Sequence, residues 1–175
     1  MKSEDRVEFI VNWIKNYCKL VKYQPVSLII GVSGGIDSAV TSTLCAKTGL
    51  RTIAVSMPIK QNKDQHNLSI NHLNWLEKNF DNVITQVINL NETFNTFYQT
   101  IKEFNSELAF ANSRSRLRMM TLYQIAQSSN GLVVGTGNKV EDFGVGFYTK
   151  YGDGGVDISP IADCTKTQVW EMGTT

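Results

Sequence analysis

Gly31-Val32-Ser33-Gly34-Gly35-Ile36-Asp37-Ser38 is the stretch that decides the fold. It follows the apolar run Val26-Ser27-Leu28-Ile29-Ile30 and leads into Ala39-Val40-Thr41-Ser42-Thr43-Leu44-Cys45-Ala46. A β-rich apolar run, a glycine pair and a helix-forming run predict strand, tight loop and helix. The paired glycines let the backbone turn sharply and approach a ligand closely, because neither carries a Cβ. The first amides of the following helix lack partners inside it, and the helix dipole favours negative charge at that end. With the hydroxyls of Ser33 and Ser38, the loop reads as a phosphate cradle.

Asp37 does not suit a plain phosphate cradle, since its carboxylate and the phosphates repel. A hard divalent cation such as Mg²⁺, held by one or two carboxylates and by phosphate oxygens, removes the conflict. The Gly-Lys-Ser/Thr of a Walker A loop is absent, so the usual phosphate lysine has to come from elsewhere. The blander alternative is a strand-to-helix turn in which Asp37 and Ser38 serve as caps.

Working outward, 175 residues suffice for one domain with a real core. The 17 basic and 16 acidic side chains nearly cancel, so no global field draws in nucleic acid or a membrane surface. No apolar run approaches membrane-spanning length, and Met1-Lys2-Ser3-Glu4-Asp5-Arg6 does not read as a signal peptide. Cys18, Cys45 and Cys164 show no metal spacing and are odd in number, which suggests reduced thiols and a cytoplasmic chain.

Periodicity predicts a helix over residues 4–20, a strand over 26–32, a helix to Lys47 stopped by Gly49, and a strand over 52–57 closed by Pro58. A helix through Leu68, Leu73, Trp75, Leu76 and Phe80 follows, then a strand over 83–88 and a helix from Asn91. The next helix is expected over 112–128, and Gly131, which stops it, opens a fourth strand over 131–136. Such alternation calls for an α/β fold: a doubly wound parallel sheet with helices on both faces. Its ligands bind beyond the carboxyl ends of the strands, at residues 33–38, Met57-Pro58, Leu90-Asn91 and 136–141.

Two later segments add chemistry. Gly135-Thr136-Gly137-Asn138-Lys139-Val140-Glu141 leaves the fourth strand with a hydroxyl, a lysine and a carboxylate that can join Asp37 in a magnesium site. Residues 142–155 are glycine-rich yet carry Phe143, Phe147, Tyr148 and Tyr151, a mix that suits an ordered loop closing over an aromatic ligand. Arg114, Arg116 and Arg118 fall at the expected start of a helix, where the dipole disfavours cations. They are therefore either paired with acids or kept for an anionic ligand.

Ser33-Gly34-Gly35-Ile36-Asp37-Ser38 resembles the SGGxDS loop of the N-type ATP pyrophosphatases, whose domain is adenine-nucleotide α-hydrolase-like. Phe147-Tyr148-Thr149-Lys150-Tyr151-Gly152-Asp153-Gly154-Gly155 narrows that resemblance to the ammonia-dependent NAD synthetases and their FxTKYGDGG signature. Asn112 to Met119 is similar to their NxxAR-x-RM segment, and Gly135 to Glu141 to their GT-xxxx-E loop. The resemblance implies amidation of deamido-NAD with ammonia through an acyl-adenylate, releasing AMP and pyrophosphate. It implies that Gly31, Val32, Ser33, Gly34, Gly35, Ile36, Asp37, Ser38, Thr136 and Lys166 bind ATP, and that Asp37 and Glu141 ligate Mg²⁺. It further implies that Arg116, Lys150 and Asp157 contact deamido-NAD, with Lys166 and Asp153 catalytic and Asp153 receiving ammonia. A homodimer with sites near the interface is implied as well.

The chain departs from the family pattern at Gly137-Asn138-Lys139, at Arg114 and at Ser115. Members also continue past the helix beginning at Thr167, with a Lys-Ala-Pro-Thr segment and a late His-Lys pair. Residues 1–175 are therefore expected to be one ATP pyrophosphatase domain lacking the C-terminal part, with free ammonia as nitrogen source. The competing readings are a tRNA-modifying ATP pyrophosphatase, a nucleotide sensor similar to universal stress proteins, and an inactive nucleotide-binding fragment. The first would want a basic surface or Cys-x-x-Cys pairs, and this chain has neither.

Overall fold

The run Leu28-Ile29-Ile30 forms the centre of the molecule in the computed structural model, which describes residues 1–175. All three side chains are fully buried. Successive side chains of a strand point to opposite faces, and here both faces are covered. Leu28 and Ile30 join one core, while Ile29 joins the other. Burial of each such side chain contributes about 1.5–3 kcal/mol, several times what an exposed ion pair gives.

Four parallel strands, β1 (Ser27–Gly31), β2 (Arg51–Ser56), β3 (Val83–Val87) and β4 (Gly131–Val134), lie in the order β3-β2-β1-β4. The helices are α1 (Ser3–Leu20), α2 (Ile36–Lys47), α3 (Lys63–Asn79), α4 (Asn91–Thr100), α5 (Glu107–Ser128) and α6 (Lys166–Gly173). The core shared by α1, α2, α3 and α6 lies on one face of the sheet, and that shared by α4 and α5 on the other. The expected doubly wound architecture is thus present. Chain order runs outward from β1 to β3, then returns to the far side of β1 for β4. That reversal opens a crevice beyond the carboxyl ends of β1 and β4.

The elements match the sequence expectation closely, with two corrections. Helix α5 begins at Glu107, not Asn112, because the Ser106 hydroxyl caps it by accepting from Ala109 N–H at 3.3 Å. Arg114, Arg116 and Arg118 therefore lie about two turns inside the helix, and the dipole no longer bears on them. The helix stop is likewise not Gly131. Asn130 takes the left-handed conformation (φ 47°), and Gly131 already belongs to β4. Gly131 serves close approach instead: a Cβ there would sit 2.7 Å from both Ile29 Cδ1 and the Ser27 carbonyl oxygen. The three cysteines are free and buried. No helix is long and apolar enough to cross a membrane.

Phe94 anchors α4 in the second core, only 1 % exposed and edge-to-face with Phe110 at 6.3 Å. Phe94→Ala is expected to lower stability by about 3–5 kcal/mol, since a cavity adds to the lost burial. Urea unfolding followed by far-UV circular dichroism measures it.

Candidate active site

The phosphate loop is built by its own side chains. Ser38 is buried, and its hydroxyl donates to the Gly35 carbonyl at 2.9 Å while accepting from Ser33 N–H at 3.2 Å. The Ser33 hydroxyl lies 3.2 Å from that of Ser38 and accepts from Gly35 N–H at 3.3 Å. Gly34 is held at φ +91°, and a Cβ there would run into the Gln65 carbonyl at the start of α3. Gly35 precedes α2 in extended conformation with no side-chain cap, which leaves the first amides of α2 free for an anion.

Asp37 stands in the first turn of α2, where the dipole favours it. Its Oδ2 accepts from the Lys166 ammonium, and its Oδ1 accepts from the Asn138 side-chain amide at 3.0 Å. Glu141 Oε1 accepts from the same ammonium at 3.1 Å. Two carboxylates from opposite sides of the crevice thus converge on one cation. Lys166 is the first residue of α6, a position fixed by a capping box between Thr165 and Gln168. Burial acts to lower the Lys166 pKa, but the hydrogen bonds and charges of Asp37 and Glu141 outweigh it and hold the group above the ordinary lysine value.

Beside this cluster lies a cleft of about 450 Å³. Gly31, Val32, Ser33, Thr136 and Asp153 border it, together with Gln61 and Arg118. Gln61 donates to the Ser33 carbonyl at 2.9 Å, tying the β2 loop to the phosphate loop. Arg118 is half-buried, donates to the Met57 carbonyl at 2.9 Å, and is shifted down by burial and by the charge of Arg114.

The far wall is the segment after Glu141. Residues Val140–Val145 form a π-helical turn, and the turns that follow are pinned to α5. Asp153 Oδ1 accepts from the Ser115 hydroxyl at 2.6 Å and from Thr149 N–H at 3.1 Å. The Thr149 hydroxyl donates to Asn112 Oδ1 at 2.9 Å. Arg116 donates to the Lys150 carbonyl at 3.0 Å, and the Lys150 ammonium stands 5.0 Å from the Tyr151 ring centre. Phe143, Phe147 and Tyr151 are each more than 70 % exposed, so the aromatic loop stands open. Asp142 is raised above the usual carboxylate range by burial, then by the charges of Asp153 and Glu141.

Ser33, Thr136 and Asp153 thus border one cleft, Asp37, Glu141 and Lys166 meet in a cluster at the end of the phosphate loop Ser33–Ser38, and Arg116 is joined to Lys150. Asp157 lies apart from that group. Its Oδ2 accepts from Val133 N–H at 2.7 Å and its Oδ1 from the Tyr123 hydroxyl at 3.2 Å. Tyr123 is pushed up to about 12, first by burial and then by the charge and hydrogen bond of Asp157. Gln61 was not singled out from sequence, Asn138 was named only as a departure from the family pattern, and Arg118 only as one of three arginines at an expected helix start. Gln61 follows the expected site loop at Met57-Pro58, Arg118 sits two residues past Arg116, and Asn138 lies between Thr136 and Glu141.

The NAD synthase family model matches residues 6–175. An NH(3)-dependent NAD(+) synthetase from Carboxydothermus hydrogenoformans is 38% identical over 177 residues, covering 97% of this chain and 68% of the relative. The chain belongs to the NAD synthase family. An NMN synthetase from Francisella tularensis superposes with a TM-score of 0.90 at 34% identity, covering 99% of this chain and 70% of that one. An NH3-dependent NAD synthetase from Campylobacter jejuni superposes with a TM-score of 0.88 at 27% identity, covering 99% and 73%.

Gly34 tests the loop geometry directly. Gly34→Ala is expected to cost about 1–3 kcal/mol, because an L side chain at this positive φ is strained and its Cβ meets the α3 backbone. Denaturant unfolding measures the cost.

Proposed function

We propose that the chain is an ammonia-dependent NAD synthetase, a ligase that amidates deamido-NAD at the expense of ATP. The observation that carries this reading is the convergence of Asp37 and Glu141 on Lys166 at the mouth of the phosphate loop. A loop that cradles phosphates, two acids and a lysine ammonium make a centre for chemistry on a phosphate of ATP.

The donor set fits Mg²⁺. Two hard carboxylates facing one point, without a third acid, histidine or thiolate in the group, match an ion that keeps waters and takes phosphate oxygens. Asp37 and Glu141 would hold it, and when bound it supplies positive charge between the acids and the phosphates. The chain's own groups do the rest. The amides after Gly35 and the hydroxyl of Ser33 hold the phosphates, with Thr136 bordering the nucleotide. Lys166 turns from the acids toward the α-phosphate, where its charge offsets that of the approaching carboxylate of deamido-NAD. The carboxylate oxygen attacks the α-phosphorus, pyrophosphate leaves, and an acyl-adenylate forms.

Arg116 and Lys150 bind the anionic dinucleotide, with Asp157 contributing from beside Tyr123, further along α5. Asp153 has one oxygen engaged by Ser115 and Thr149, which leaves the other able to bind ammonium and accept its proton. Ammonia then attacks the acyl carbon and AMP departs, giving NAD. The reading includes a cytoplasmic homodimer. A second acceptor is favoured by the likeness to the Francisella tularensis NMN synthetase, namely the mononucleotide that carries the same nicotinic acid carboxylate.

Pyrophosphate release with ATP and ammonium is expected to depend on deamido-NAD, and not on tRNA, aspartate or a GMP precursor. Preference for the mononucleotide would transfer the reading to that acceptor, and preference for any other would refute it. Asp37→Asn keeps the capping ability of the position and removes its charge. It should lower turnover about a hundredfold or more, as loss of an electrostatic transition-state contact does. Glu141→Gln should act in the same direction, and the double variant should lose less than the product of the two. Near-normal turnover in Asp37→Asn, with the fold intact by thermal melting, would sink the metal assignment.

A further inference from the structure

Asn138 is fully buried, although an amide side chain is normally exposed. Every polar atom of its side chain that is bonded serves one of two elements. Its Oδ1 accepts from the backbone N–H groups of Val140 at 3.0 Å and Glu141 at 3.1 Å, closing the start of the π-helical turn. Its Nδ2 donates to Asp37 Oδ1 at 3.0 Å. The network fixes which end of the amide is which, because two N–H groups require an acceptor and a carboxylate requires a donor. The backbone is held too: Lys139 N–H donates to the Cys164 carbonyl at 2.9 Å, and Asp142 N–H to the Asn138 carbonyl at 3.0 Å.

A residue needed only to start the turn would use its acceptor alone, and serine, threonine or aspartate supply one. Asparagine differs in carrying acceptor and donor on two separate atoms, whereas a hydroxyl would have to cap the turn and donate from the same oxygen. Aspartate here would set one carboxylate against another. The Asn138 side chain therefore spans the crevice between α2 and the turn, touching both segments that carry the acids of the charged cluster.

Resting on the proposed function, we infer that Asn138 is a positioning residue for the divalent cation. It fixes the separation of Asp37 and Glu141, and it selects the oxygen by which Asp37 binds. With Oδ1 occupied by the amide, Oδ2 is the oxygen now paired with Lys166, and it becomes the one offered to the cation when Lys166 turns away. Groups that orient a metal ligand typically change affinity ten- to a hundredfold when removed.

The test is Mn²⁺ uptake, read by electron paramagnetic resonance in the presence of α,β-methylene-ATP, which does not require turnover. Asn138→Ser keeps an acceptor for the turn and removes the amide Nδ2 that reaches Asp37. Its Mn²⁺ affinity is expected to fall by about tenfold or more, with affinity for the analogue in EDTA unchanged. Equal Mn²⁺ affinity in the variant and the unaltered chain would overturn the inference. So would a parallel loss of analogue affinity in EDTA, which would make Asn138 a loop brace only. Should Asn138→Ser melt below the titration temperature, Asn138→Thr carries the same two expectations. An unaltered chain that takes up no Mn²⁺ with the analogue overturns the proposed function itself, and this inference with it.

Discussion

The site depends on one ammonium held between two carboxylates. Lys166 occupies the first position of α6, where the helix dipole works against a cation, and the capping box keeps it there. Asp37 and Glu141 more than offset the effect of burial and hold the lysine above its ordinary value. Without the lysine, the two acids would face each other across a partly desolvated crevice. In the proposed mechanism the phosphates of ATP draw the lysine away while another cation takes its place between the acids.

Fold topology creates this meeting. Asp37 follows β1, Glu141 follows β4, and Lys166 arrives from a helix packed against α2. Neighbouring strands β1 and β4 are far apart in sequence, and the winding reverses between them. Hydrophobic burial supplies the energy. Leu28, Ile29 and Ile30 fill two cores from one strand, and Val169 and Met172 anchor α6 in the first. The pair Arg6–Glu171, at 3.4 Å with its glutamate half exposed, adds little by comparison.

Much of this was readable from the chain. The octet at Gly31–Ser38 announced strand, loop and helix because apolar run, glycine pair and helix formers each admit few conformations. Asp37 stood out because a carboxylate in a phosphate loop needs a cation, Glu141 because it leaves the neighbouring strand at the same sheet edge, and Lys166 came through the resemblance. Other features were hidden. Ser106 moved the start of α5 because its side-chain cap begins the helix ahead of the residues that periodicity marked. Gly131 looked like a stop, but Asn130 can also take a left-handed turn, and only the packing against Ser27 reveals why position 131 lacks a side chain. Asn138 and Gln61 depend on partners 101 and 28 residues away, which no local pattern reports.

The central claim is that the charged centre directs a carboxylate of the acceptor onto the α-phosphate of ATP. The most direct measurement is isotope transfer during turnover, with ¹⁸O in the nicotinic acid carboxylate of deamido-NAD and the phosphate products resolved by mass spectrometry. The account predicts one labelled oxygen in AMP and none in pyrophosphate. Label in pyrophosphate or orthophosphate, or AMP free of label, would contradict it.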